Sequence, residues 1–190
     1  MMKHQPEILR EDPTPSKITK PEREELTKHS TSRLIWGEGN PLAPIFVILD
    51  NPGAREDGQN QPFLCGTRIT LQKGALDAGL GLKDLYVSYL LKSRPLRKYD
   101  KEKARSFAKS YLFQQVEQHK PRLVFCLGNV VVRTYFEDAQ AEVKHLRGRV
   151  NILRGFATIV SYHPLAVRRY PNLHPYFLRD WKLAQSLISS

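Results

Sequence analysis

Four short runs of apolar residues divide the chain, and polar or turn-forming residues bound each of them. Each run is continuous and rich in Val, Ile, Leu, Phe or Tyr, as strands covered on both faces are. The predicted strands are residues 44–49, 84–91, 122–127 and 157–162. Because the runs do not alternate with polar residues, they predict parallel strands in the interior of a sheet.

Between these runs, apolar residues recur at three- and four-residue spacing, which is typical of helices covered on one face. The clearest case is 100–119, where Asp100 is suited to cap the start and Pro121 follows the end. Further helices are predicted at 69–78, 128–136 and 174–187. The alternation predicts an α/β fold, a three-layer α/β/α sandwich around a central four-stranded, mainly parallel sheet.

The length of 190 residues suits one domain with an extension. Residues 1–33 are polar and contain four prolines before position 22, so we expect an N-terminal extension with a short helix beginning at Pro21. Residues 34–190 form the predicted domain. No stretch approaches the ~20 apolar residues of a membrane helix, and the start lacks a signal peptide. We therefore expect a cytoplasmic monomer that does not bind a membrane.

The formal net charge is +11, from 30 Lys and Arg against 19 Asp and Glu. Such a charge indicates a polyanionic partner, and nucleic acid is the commonest one; the alternative is an ordinary solvated surface. The basic residues cluster near the ends of the predicted strands: Lys92, Arg94, Arg97, Lys98, Lys101, Lys103, Arg105, Lys144, Arg147, Arg149, Arg154, Arg168 and Arg169.

The first predicted strand ends abruptly in the polar turn 50–53, Asp-Asn-Pro-Gly. Ligands of open α/β sheets bind outside the carboxyl ends of the strands, so side chains there are candidates for chemistry. Asp50 or Asn51 can hold a water or a polar ligand edge, and Gly53 lets a ligand approach the backbone. The alternative is a β-turn closed by Asx side-chain bonds.

Two other strand ends carry candidate chemistry. The loop 92–98 is basic and stiffened by Pro95, which suits phosphate contact, although an exposed loop is the plainer interpretation. The last strand ends in Tyr162-His163-Pro164, and His163 beside a proline at a strand end is a candidate site residue. At the third strand end, Leu127-Gly128, tight packing is the better explanation of the glycine.

Together these motifs resemble the uracil-DNA glycosylase superfamily, and most closely its thermostable family 4. The resemblance covers about residues 36–185, with the motifs in the family's order. The segments that carry it are 37–40, 49–53, 56–57, 62–63, 92–95, 127–128, 147–148 and 162–164.

The resemblance implies hydrolysis of the N-glycosidic bond of uracil or another deaminated base in DNA. It implies three catalytic residues, Asp50, Asn51 and His163, and four base-binding residues, Gly53, Glu56, Phe63 and Tyr89. With the basic clusters, it predicts DNA contacts from Lys92, Arg94, Arg97, Arg168 and Arg169. The predicted partner is therefore DNA.

Two departures from the resembled family change the expectation. The family holds a four-iron cluster with four cysteines, whereas this sequence has two cysteines, Cys65 and Cys126. Two of the family's cluster positions fall at Ser93 and near Ala108 in this sequence, and neither is a cysteine. We therefore predict no metal and no cofactor. Tyr89 stands where the family has a base-reading asparagine, and a phenol cannot offer an amide's paired donor and acceptor.

Three functions follow from these features. The first is a DNA glycosylase of base-excision repair. The second is a DNA-binding member of the same superfamily with weakened or lost catalysis, which Tyr89 motivates. The third is a small nucleotide-handling α/β protein, against which the lack of a glycine-rich phosphate loop counts.

Overall fold

A computed structural model describes residues 5–30, 32–56, 58–96 and 98–189, so the predicted site residue Arg97 lies outside the described residues. The strands are β1 Glu11–Asp12, β2 Gly37–Gly39, β3 Ile45–Leu49, β4 Leu85–Tyr89, β5 Leu123–Leu127, β6 Asn151–Leu153 and β7 Phe156–Ser161. The helices are α1 Lys20–Thr27, α2 Gly66–Asp77, α3 Lys101–His119, α4 Asn129–Tyr135, α5 Val143–Leu146, α6 Pro164–Arg169 and α7 His174–Ser189.

All strands join one sheet in the order β1-β2-β4-β3-β5-β7-β6. The four predicted strands are its parallel centre, β4-β3-β5-β7, and this part of the prediction is confirmed. The predicted size was wrong, because β1, β2 and β6 extend the sheet to seven strands as antiparallel neighbours. These strands have two or three residues each, too few to show a periodic pattern.

Helices cover both faces of the sheet, which confirms the three-layer α/β/α architecture. Helices α2 and α7 pack on one face through residues such as Leu71, Phe177 and Trp181. Helices α3 and α4 pack on the other, through residues such as Leu112 and Val132. None of the helices in the described ranges is long and apolar enough to span a bilayer.

Helix α3 begins and ends as the sequence predicts. Asp100 is its N-cap, and the Asp100 Oδ1 accepts a hydrogen bond from the Lys103 amide at 3.1 Å. At the other end Lys120 adopts a left-handed conformation with φ of 51°, and Pro121 follows.

The described part of the N-terminal segment packs onto the rest of the chain. Strand β1 pairs with β2 at the sheet edge. Helix α1, the predicted short helix, buries Leu26 in a small cluster with Trp36 and Tyr111. The Tyr111 hydroxyl also donates to Glu22 in α1 at 2.8 Å. The boundary between an extension at 1–33 and a domain at 34–190 stays a prediction.

Lys92 lies inside the fold, so its predicted contact with DNA is wrong for this structure. The side chain is fully buried. Its Nζ donates to Ser88 Oγ at 2.8 Å, to Gln115 Oε1 at 2.6 Å and to the Trp36 carbonyl at 3.2 Å. Burial lowers the pKa of Lys92 to about 7, because the charged form loses its hydration.

This burial makes the free energy of unfolding depend on pH. Between pH 7 and about 10.4, unfolded Lys92 binds a proton that the folded side chain does not. Stability should therefore rise with pH across this window, by at most about 1.4 kcal/mol per pH unit from this residue. Urea denaturation at a series of pH values measures the slope.

The variant Lys92→Met should lose this part of the slope. Lys182→Met, which removes an exposed lysine from α7, is the matched control and should keep the wild-type slope. Equal slopes in the wild type and Lys92→Met would show that Lys92 is not the group responsible.

Candidate active site

Strands β3 and β7 end at the same edge of the sheet, with β5 between them, and each delivers one candidate side chain there. Asp50 follows β3 and His163 lies two residues beyond β7. The Asp50 Oδ1 and the His163 Nε2 are 3.3 Å apart, and both side chains stay partly exposed, at 36% and 22%. The structure therefore brings together two predicted catalytic residues that are more than a hundred positions apart in the sequence.

The turn after β3 holds Asp50 and Asn51 in place. The Asn51 backbone amide donates to Asp50 Oδ1 at 2.9 Å, and the Asn51 side-chain amide donates to the Pro52 carbonyl at 3.0 Å. Both bonds reach only the adjacent residue, so they are not the Asx bonds of the alternative interpretation, which span two residues. They nevertheless hold the turn through the candidate site residues. The Asp50 carbonyl also accepts the Leu91 amide at 2.8 Å, which ties the turn to the chain after β4.

His163 is the N-cap of α6, and its backbone hydrogen bonds fix its tautomer. The His163 Nδ1 accepts a hydrogen bond from the Leu165 amide at 3.1 Å. We therefore assign the imidazole proton to Nε2, the nitrogen that faces Asp50. The neutral ring can donate from Nε2 while the helix end holds its other side.

Gly128 provides the space that His163 needs. It has φ of 90°, and a Cβ built there would lie 2.9 Å from the His163 Cβ. A side chain at 128 would therefore be strained and would also push the histidine out of place. The structure explains this glycine by packing.

Asp50 is held in its ionised form. Burial alone would raise its pKa, but the hydrogen bond from His163 Nε2, together with the amides of Asn51 and of Asp50 itself, lowers the pKa below its ordinary value. The site therefore presents a carboxylate beside an N–H donor at neutral pH, an arrangement suited to stabilising a positive and a negative charge that develop together.

Two of the four predicted base-binding residues share one cavity wall. Gly53 and Glu56 line a polar cavity of about 170 Å³, and Arg55 and Arg94 lie in the same wall. Glu56 is paired with Arg33 at 3.0 Å. In this structure the Glu56 carboxylate is thus engaged in an ion pair with Arg33.

Tyr89 and Phe63 do not line that cavity, but both bond to Arg55, which does. Tyr89 is buried, its hydroxyl donates to Glu38 Oε1 at 2.5 Å, and it accepts from Arg55 Nη1 at 3.3 Å. Burial raises its pKa well above the ordinary value. Phe63 is partly exposed, and its carbonyl accepts from Arg68 Nη1 at 3.2 Å. The Tyr89 hydroxyl is thus already bonded and is not available to read a base edge.

A buried charge network that the sequence did not reveal surrounds Tyr89. Glu38, from β2, bonds both Arg55 and Arg68, and all three side chains are almost completely buried. Arg55 also pairs with Glu11 at 2.7 Å, and Arg33 bridges Glu11 and Glu56. The sequence feature that could have indicated this network is Glu38, an acidic residue in the buried strand β2. An ionised carboxylate there requires cationic partners.

The predicted DNA-contacting arginines differ from Lys92 in that they are exposed: Arg94, Arg168 and Arg169. Arg168 and Arg169 end helix α6, which His163 begins. The Arg168 guanidinium lies over Gly66 at the start of α2, where a Cβ would approach it to 2.1 Å. Two of these cations therefore stand on the same short helix as the candidate catalytic histidine.

The residues present do not fit the four-iron cluster that the resemblance implies. Such a cluster needs four thiolates, and the chain has two cysteines, of which Cys126 is buried in β5 with a pKa raised by burial. Ser93 and Ala108 line a cavity of only about 30 Å³ between α1 and α3, and the Ser93 Oγ donates to the Leu26 carbonyl at 2.8 Å. Within the described ranges, no three His, Cys, Asp or Glu side chains are grouped to hold a metal ion.

The chain is similar in sequence to proteins named as Type-4 uracil-DNA glycosylases. The chain is 28% identical over 164 residues to the Type-4 uracil-DNA glycosylase of Archaeoglobus fulgidus, covering 81% of this chain and 82% of that protein. It is 28% identical over 164 residues to the Type-4 uracil-DNA glycosylase of Saccharolobus solfataricus, covering 81% and 76%, and 24% identical over 161 residues to that of Thermotoga maritima, covering 83% and 84%. Residues 36–185 match the sequence profile of the Uracil DNA glycosylase superfamily. The chain therefore belongs to the uracil-DNA glycosylase superfamily.

Proposed function

We propose that this protein is a DNA glycosylase of base-excision repair that hydrolyses the N-glycosidic bond of uracil or another deaminated base in DNA. The observation that carries the proposal is the Asp50–His163 pair, a carboxylate and an N–H donor 3.3 Å apart at the edge where the sheet binds ligands. The relatives named as Type-4 uracil-DNA glycosylases support it.

The target nucleotide must leave the base stack before it can reach these side chains, which costs a few kcal/mol. Phe63 is partly exposed and is the aromatic ring proposed to stack on the extruded base. Stacking of this kind contributes about 1–3 kcal/mol per base, so it offsets much of the cost of extrusion.

When the glycosidic bond breaks, its electron pair goes to the base and the sugar becomes cationic. With a nucleotide bound, the His163 Nε2–H leaves its contact with Asp50 and donates to the base oxygen on which negative charge develops, since Nδ1 is already an acceptor. The ionised Asp50 stabilises the sugar cation and, with Asn51, orients a water toward the anomeric carbon. The water oxygen forms the new bond to that carbon, and its proton passes to Asp50 or to solvent.

The proposal requires that His163 acts on the chemical step. His163→Ala should lower the rate of abasic-site formation in uracil-containing DNA by about 10²–10³-fold or more, because it removes a donor aimed at the developing oxyanion. Single-turnover assays, with alkaline cleavage of the abasic product, measure that rate. His145→Ala, which removes a largely exposed histidine from α5, is the control and should keep the wild-type rate.

Absence of abasic sites from uracil, hypoxanthine and xanthine substrates with the wild-type protein would reject the glycosylase proposal. A wild-type rate in His163→Ala would reject the assigned role of the histidine while leaving the activity itself in place.

The lowered pKa of Asp50 gives a second prediction. In the wild type, Asp50 should stay ionised to below the ordinary aspartate pKa of about 3.9. In His163→Ala the midpoint should move upward, because burial remains while the partner that opposes it is gone. Carbon-13 NMR titration of the carboxyl groups measures both midpoints, and an unchanged midpoint would show that His163 does not hold the carboxylate ionised.

The buried hydroxyl of Tyr89 favours a second candidate function, a DNA-binding member of the superfamily with weakened or lost catalysis. Both candidates need the exposed arginines. Arg168→Ala and Arg169→Ala should each reduce the magnitude of the slope of log K against log salt by about 1. Lys182→Ala should not change the slope. Salt-sensitive binding without abasic sites would favour this candidate over the enzyme.

We further propose that the protein works without an iron–sulfur cluster, because its residues do not supply four thiolates. The cytoplasmic location and the monomeric state stay predictions.

A further inference from the structure

Asp180 is a buried acid of α7 that the proposed chemistry does not use. It is 1% exposed, and it accepts three side-chain hydrogen bonds. Ser161 Oγ donates to its Oδ2 at 2.6 Å, and Arg147 donates from Nε to Oδ2 at 3.0 Å and from Nη2 to Oδ1 at 2.8 Å. Asp180 thereby joins the end of β7, the residue after α5, and α7.

Arg147, which binds Asp180, also contacts Tyr162, the residue that follows β7. Its guanidinium carbon lies 4.8 Å from the centre of the Tyr176 ring and 5.9 Å from that of Tyr162. Arg147 also donates to the Tyr176 carbonyl at 2.9 Å. The Arg-Gly motif at 147–148 therefore has a structural role: its arginine packs against Tyr162 while Asp180 holds it.

These contacts act on the two residues directly before His163. Ser161 is held by Asp180 through its side chain and by the Gly128 amide, which donates to the Ser161 carbonyl at 2.9 Å. Tyr162 is held by Arg147. Two consecutive residues fixed in this way leave His163 little freedom to move relative to β5 and β7, so its distance from Asp50 depends on them.

A contribution to folding stability does not by itself explain the buried pair of Arg147 and Asp180. Buried ion pairs often contribute little more than the apolar residues that could replace them, since desolvation opposes the attraction. A buried, bidentate pair does fix one geometry. The position of the proposed catalytic groups must be fixed accurately, because a displacement of about 1 Å in a catalytic group can lower the rate about 10²-fold.

We propose that Asp180 is a positioning residue, which through Ser161 and Arg147 sets the end of β7 so that the His163 imidazole faces Asp50. This inference rests on the proposed glycosylase function for its kinetic effect. The placement of the imidazole itself does not depend on activity, so it can be measured separately.

The sharpest test compares two buried serines. Ser161 and Ser88 are both fully buried in parallel strands, and each donates one 2.6 Å hydrogen bond to a buried side chain; Ser88 Oγ also accepts from Lys92 Nζ at 2.8 Å. Both Ser161→Ala and Ser88→Ala should lose stability, and the loss should be no smaller in Ser88→Ala. Only Ser161→Ala should lower kcat on uracil-containing DNA, by about 10–100-fold, with KM for DNA changed less than twofold.

Asp180→Asn, which keeps the shape and removes the charge, should lower kcat at least as much as Ser161→Ala. Equal reductions of kcat in Ser161→Ala and Ser88→Ala would overturn the proposal, since the effect would then be one of general stability. A change confined to KM in Ser161→Ala would overturn it as well.

Nitrogen-15 NMR of the imidazole gives a readout that needs no activity. In the wild type and in Ser88→Ala, the His163 signals should report one neutral tautomer with the proton on Nε2. In Ser161→Ala and Asp180→Asn, the Nε2 signals should shift or broaden as the contact with Asp50 loosens. Wild-type signals in all variants would overturn the positioning role, whereas shifted signals in a protein without uracil excision would leave it standing and reject only the proposed function.

Discussion

The contact between Asp50 and His163 depends on one property of the sheet, the parallel order of β3, β5 and β7. Parallel strands end at the same edge, so side chains far apart in sequence meet there. The turn at Asn51 fixes the carboxylate, and the start of α6 fixes the imidazole. One turn and one helix cap thus hold the two groups of the site in place.

A network of buried charged side chains lies around Tyr89, at the end of β4. Glu38 bonds Arg55 and Arg68, and the Tyr89 hydroxyl completes its surroundings. Isolated, each of these charges would be costly to bury, and together the opposite charges offset one another. The tyrosine hydroxyl is part of this network.

The N-terminal segment is the third part of the arrangement. Strand β1 supplies Glu11 to the charge network, and α1 closes a small apolar cluster against α3. Ser93, at a position where the resembled family has a cysteine, bonds instead to the carbonyl of Leu26 in α1. Packing and hydrogen bonding therefore join α1 to α3 and to the chain after β4.

The sequence alone determined the four central strands, the long helix α3 and its cap, and the polar ends that carry Asp50 and His163. These features depend on local apolar patterns and turn residues, which the chain carries in order. Only the tertiary structure decided the short edge strands, the burial of Lys92 and the partners of Tyr89. Those outcomes depend on long-range pairing of charges and backbone groups, such as Glu38 with Arg68, for which no local pattern exists.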